Sequence, residues 1–198
     1  MFVSQASSLL LALMTGAFNP NSAVYPSQLR CDDALALERA LEAEVSYEGP
    51  YDPLKPNVIS KRRYFQDRAA VIYICESSIV VSRLVTMHFE SEKSLREAFA
   101  RHRDLLAKEL GAPCWNPEAL TSAQKAELPS GDLTELGWFR DRLEWNAPYD
   151  RNVSLTMNFQ VLQLTILINA LSHANRGADD GPIGKAYTLS SCARGQAK

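Results

Sequence analysis

Histidine is the side chain that most readily moves protons near neutral pH, and this sequence holds three, at His88, His102 and His173. Each stands alone in the chain. His102 falls on the apolar stripe of a predicted helix, and His88 ends a predicted strand beside Phe89 and Glu90. Joined by a carboxylate, either would serve as the general base of a small hydrolase whose site has no linear motif, which makes His88 and His102 the catalytic candidates. The more ordinary use of an imidazole on an apolar stripe is a core histidine with one hydrogen-bond partner. Nucleophile signatures are lacking: there is no Gly-x-Ser-x-Gly elbow and no Ser-x-x-Lys pair in a suitable setting.

Four cysteines, Cys31, Cys75, Cys114 and Cys192, form no Cys-x-x-Cys, so neither a structural zinc site nor a thioredoxin-type redox pair is expected. An even number in an exported chain points to disulfides, and four cysteines leave three pairings open. Cys75 or Cys114 beside a histidine would make a hydrolase only if the thiol stayed reduced. Gly177 to Lys185 imitates a phosphate loop but places Asp179 where the first glycine belongs and Ala186 where Ser or Thr is required. Asp179 and Asp180 read as solvated loop carboxylates rather than a calcium site. No metal or cofactor is expected.

Binding candidates are of two kinds. Lys61-Arg62-Arg63 is the one basic cluster with aromatics beside it, Tyr64 and Phe65, and suits either an anionic partner or a charged strand that blunts a sheet edge. Trp115, Trp138 and Trp145 are candidate hot spots, because tryptophan is enriched at interface centres. Trp138 and Trp145 are an odd number of residues apart, so a regular strand sends them to opposite faces, and the more exposed one is expected to mark a partner surface.

The bulk properties bound the answer. The 198 residues suit one domain with a leader and a tail, and 46% hydrophobic with 22% charged residues suits a folded chain. A net charge of -2 gives no support to nucleic-acid binding, which draws its affinity from a basic excess. Ser8 to Phe18 is an uncharged apolar run, and no charged side chain precedes Arg30. It is too short for a transmembrane helix, which needs roughly 20 apolar residues. Its length fits a secretory leader with Ala17 or Ala23 before the cut, although the usual Lys or Arg ahead of the run is missing. The alternative is a buried first helix in a cytoplasmic protein.

The elements that would position these residues follow from periodicity. A short helix from Asp32 or Asp33 to about Glu44 carries Leu37, Leu41 and Val45 at helical spacing. Strand-like runs cover Val58 to Phe65, Ala70 to Cys75 and Ile79 to Phe89, the last with Ile79, Val81, Val85 and Met87 on one side and Arg83 interrupting. Ser91 caps a helix from Glu92 to Leu110, which Gly111 and Pro113 end; its stripe is Leu95, Ala98, Phe99, His102, Leu105, Leu106 and Leu110. A short helix from Asn116-Pro117 to about Leu128 precedes three more strands, Trp138 to Trp145, Asn152 to Phe159 and Val161 to Ala170. The expected fold is α+β: an antiparallel sheet, in two sets of about three strands, against one long amphipathic helix, with a short N-terminal helix. The expected organisation is a signal peptide over 1–23, one domain over 24–172 and a flexible tail over 173–198. The functional expectation is an exported, non-catalytic domain that binds another protein, of inhibitor, immunity or envelope-assembly type. The competing one is the small exported hydrolase.

Overall fold

A computed structural model describes residues 19–25, 29–41, 43–48, 57–127, 141–149, 151–170 and 192. His173, Trp138, the 177–185 loop and the tail, apart from Cys192, lie outside these residues. The chain divides into two units, Met1–Met87 and His88–Lys198. All strand pairings within them are antiparallel, and the class is α+β.

The first unit sets helix α1 (Cys31–Ala40) against strands β1 (Glu44–Glu48), β2 (Asn57–Tyr64), β3 (Asp67–Glu76) and β4 (Ile79–His88), in the order β1-β2-β3-β4. There are four strands here rather than three. The expected helix to Glu44 stops at Ala40, and Val45, read as its last apolar position, is a strand residue paired with Ser60. A β-branched residue suits that edge better than a helix end. Neither Asp32 nor Asp33 is the cap; both sit in the first turn, where the helix dipole favours them. The Cys31 N–H is satisfied instead by the Ser78 carbonyl at 3.0 Å, which takes over part of the capping role.

Strand β3 buries every second residue, with Ala69, Val71, Tyr73 and Cys75 inward. In β4 the phase changes. Ile74 pairs with Ser82 and Cys75 with Val80, so Val81 is an extra, unpaired residue, a β-bulge. The inward set is therefore Val80, Arg83, Val85 and Met87; Ile79 is exposed and Val81 only half-buried, contrary to the alternation expected from Ile79 onward. Arg83 does not interrupt the inner face but belongs to it, opposite Tyr73.

The second unit has helix α2 (Glu92–Leu110), a 3-10 turn at Pro117–Ala119, helix α3 (Ser122–Glu127) and strands β5 (Arg142–Ala147), β6 (Arg151–Asn158) and β7 (Gln163–Ala170), ordered β7-β6-β5. Ser91 caps α2 in a reciprocal box with Ser94, and Gly111 ends it at φ 85°, which glycine adopts freely. Leu95, Ala98, His102 and Leu106 are buried, while Leu105 is exposed. The register places Trp145, Val153 and Ile168 in one row and Leu143, Leu155 and Ile166 in the next, all buried. The Trp145 indole N–H donates to the Gly111 carbonyl at 3.0 Å, joining β5 to the end of α2. The outer edge of β5 pairs with Cys114–Trp115 through Glu144.

Candidate functional site

All four cysteines are paired, Cys31 with Cys75 inside the first unit and Cys114 with Cys192 inside the second. No thiolate is left to act as a nucleophile. The Cα atoms lie 6.2 and 4.8 Å apart, within the ordinary range for disulfides. His88 is exposed at the end of β4, and His102 is buried on α2. Trp115 and Trp145 are both buried, so neither ring is offered to a partner; the expectation of an exposed tryptophan is left with Trp138, outside the described residues. Among the described residues, no group of three His, Cys, Asp or Glu could hold a metal ion.

The basic cluster is split by the pleat of β2. Arg62 points inward, and Lys61 and Arg63 point outward and are exposed. Arg62 joins a buried network around Glu38 of α1, which has no measurable exposure. One Glu38 oxygen accepts from Ser60 Oγ at 2.7 Å and Arg62 Nε at 2.8 Å; the other accepts from the Tyr73 hydroxyl at 2.6 Å. Burial pushes the Tyr73 phenol well above its usual value, the nearby Arg83 opposing and Glu38 adding to it, so the hydroxyl stays protonated and donates. The two guanidiniums then reach the N-terminal segment. Arg62 donates to Asn21 Oδ1 at 2.6 Å and to the Pro20 carbonyl at 3.1 Å, and Arg83 donates to the Ser22 carbonyl while lying over the Tyr25 ring. With every Glu38 oxygen engaged, the network holds structure together and has no free base to offer.

The outward residues make a different site. A two-residue turn, Phe65-Gln66, joins β2 to β3, and the register sets Arg63 directly opposite Arg68. Phe65 is exposed at the tip with φ 54°, a conformation that glycine prefers and a bulky side chain rarely adopts. Its ring meets Tyr64 edge-on, with centroids 5.2 Å apart. Lys61 lies two residues from Arg63 on the same face, opposite Glu44 of β1. Among the described residues, Arg63 and Arg68 take no ion pair. Like charges directly across a ladder repel, so this tip sets two guanidiniums beside an aromatic ring, with Asp67 next to Arg68 in the chain. A strand beginning at Ala70, as its apolar run suggests, leaves Arg68 outside the ladder; the structure begins it at Asp67. Recognising Tyr64 and Asp67 as the ends of a two-residue hairpin would have revealed the Arg63–Arg68 pair.

A cleft of about 290 Å³ in the second unit is lined by Phe99, Leu143 and Met157 together with Arg103, Arg142, Glu118 and Asp141. Its cations are matched locally: Arg103 contacts Asp104 at 2.9 Å and Arg142 contacts Glu144 at 2.7 Å. Burial raises the Glu144 carboxyl above the usual range, against the pull of Arg142 and Asn152. Among the described residues, no histidine lines this cleft.

The chain matches no protein-family model, no curated protein and no solved structure.

Proposed function

We propose that this is an exported, disulfide-bonded, non-catalytic domain that binds an acidic surface of another protein through the tip of the β2–β3 hairpin, as an inhibitor, immunity or envelope-assembly factor would. Two intramolecular disulfides are what an oxidising compartment supports. No helix among the described residues is long and apolar enough to cross a membrane.

The observation that carries the binding reading is Arg63 facing Arg68 beside the exposed Phe65. Both features cost stability within the domain, one through repulsion and one through backbone conformation, the latter offset in part by the edge contact of Phe65 with Tyr64. A partner that sets carboxylates against the guanidiniums and a pocket over the ring relieves both at once. Arginine with an aromatic is also the composition of interface hot spots. The hydrolase reading needs a histidine and a carboxylate in one cleft; the cleft of the second unit has Glu118 and Asp141 but, among the described residues, no histidine lining it.

A photo-crosslinking phenylalanine analogue at position 65, in cells that make the protein, is expected to join it to one partner through an acidic segment. Arg63→Glu with Arg68→Glu is expected to abolish that adduct, with both disulfides and the fold retained. An adduct that survives the double charge reversal sinks the reading.

A further inference from the structure

The leader fits a cut after either Ala17 or Ala23, and the first unit distinguishes the two. We infer that the leader is removed by hydrolysis of the Ala17–Phe18 bond, leaving Asn19–Tyr25 as a permanent strap of the mature domain. This rests on the export reading. Water adds across that bond, leaving a carboxylate on Ala17 and an amine on Phe18.

Asn19–Tyr25 is built into the unit. Ala23 and Tyr25 are buried. The strap is folded on itself, with Asn19 Oδ1 accepting from the Asn21 N–H at 2.9 Å and Ser22 Oγ accepting from the Val24 N–H at 2.9 Å. Arg62 and Arg83 donate to Pro20, Asn21 and Ser22, and the Tyr64 hydroxyl donates to the Asn21 carbonyl at 2.6 Å. Arg83 is almost completely buried, and its Nε already has no hydrogen-bond partner. A cut after Ala23 would take the Ser22 carbonyl from the buried Arg83 and Asn21 and Pro20 from Arg62, leaving Arg62 only Glu38 and the Arg63 carbonyl, and removing hydrogen-bond acceptors from buried charge is destabilising. The sequence agrees. A leader peptidase wants small residues at the cut and two positions before it, which Thr15-Gly16-Ala17 supplies and Asn21-Ser22-Ala23 does not, because Asn21 is larger and amide-bearing.

The test is to express the full chain in a secreting host and determine the N-terminus of the exported protein by intact mass and N-terminal sequencing. A start at Phe18, with four cysteine hydrogens missing, is the expected result. A start at Val24, or any start other than Phe18, overturns the assignment. Full-length protein kept inside the cell with free thiols sinks the export reading instead, which separates the two failures. Chains beginning at Phe18 and at Val24 are then compared: the shorter is expected to lose about 10 °C or more in Tm, and equal values overturn the strap's role. Should the shorter chain not fold, Asn21→Ala in the full chain is expected to lower Tm by about 2–4 °C without moving the cut, and an unchanged Tm counts against the strap.

Discussion

Glu38 puts a carboxyl group where water does not reach, and three donors from two strands meet it there. Removing one side of such a buried pair leaves the other charge uncompensated, so Glu38→Ala is expected to cost about 3–5 kcal/mol, read as a lower urea midpoint at unchanged m. A loss under about 1 kcal/mol would mean that Asn21 and Pro20 alone satisfy Arg62. Glu144 is a separate case. Burial raises its carboxyl, so the folded chain holds that proton more tightly than the unfolded chain does. Stability from this group is present below the ordinary glutamate value of about 4.3 and is lost as pH rises through the folded value. Glu144→Gln removes the loss, so its stability relative to the natural chain is expected to increase from pH 4 to pH 7. A decrease over that range would show that the Arg142 pairing outweighs the burial. Neither carboxylate was singled out from the sequence, because a buried Glu and a surface Glu are identical in composition. Glu38 stands four residues after Ala34 and three before Leu41, on the buried face of α1, and the closing of β2 and β3 beneath the helix encloses it.

The elements were legible where a local signal and the tertiary demand agree. Helix α2 begins and ends as Ser91 and Gly111 indicate, and β2, β3 and β4 lie within a few residues of their apolar runs. Two failures have physical causes. Val45 left the helix because β2 has an edge to pair, a long-range demand that local spacing cannot register. The bulge at Val81 reversed the phase of the start of β4, and a one-residue slip exchanges the faces of a strand. The turns show a further pattern, since Phe65, Ser77, Ser78, Tyr149 and Leu162 all have positive φ without being glycine. At Ser77-Ser78 both residues do, at 50° and 66°, as a type I′ turn requires, and Asn-Gly fits that turn better. Ser77→Asn with Ser78→Gly is therefore expected to raise stability by about 1 kcal/mol in a denaturant titration, whereas a loss would mean that the serine side chains stabilise the turn. Phe65→Gly is a different case. Relief of the backbone is offset by loss of the edge contact with Tyr64, so stability is expected to stay within about 1 kcal/mol while partner capture falls. Strong capture by that variant would take Phe65 out of the interface.

At the scale of the whole molecule, the disulfides connect stability to compartment. The first closes a span of 44 residues and the second one of 78. On the chain-entropy account, these restrict the unfolded state by about 4 and about 4.5 kcal/mol. Domains of this kind have only about 5–15 kcal/mol in total, so the reduced chain would retain less than half of it. Two disulfides suit a compartment where thiols pair and persist, and the apolar run Ser8 to Phe18 is what the proposed export adds to that. Full reduction is accordingly expected to lower the guanidinium midpoint by more than half, and Cys31→Ser with Cys75→Ser is expected to account for a little under half of that loss. The two contributions should differ in kind. Cys31 also anchors the start of α1 to the Ser78 carbonyl, so losing its disulfide should loosen hydrogen-exchange protection around α1 and the β3–β4 turn. A fully reduced chain that keeps its midpoint would show a core sufficient without cross-links. Cysteine pairing would then no longer argue for export, and the proposal would rest on the N-terminus found on the mature protein.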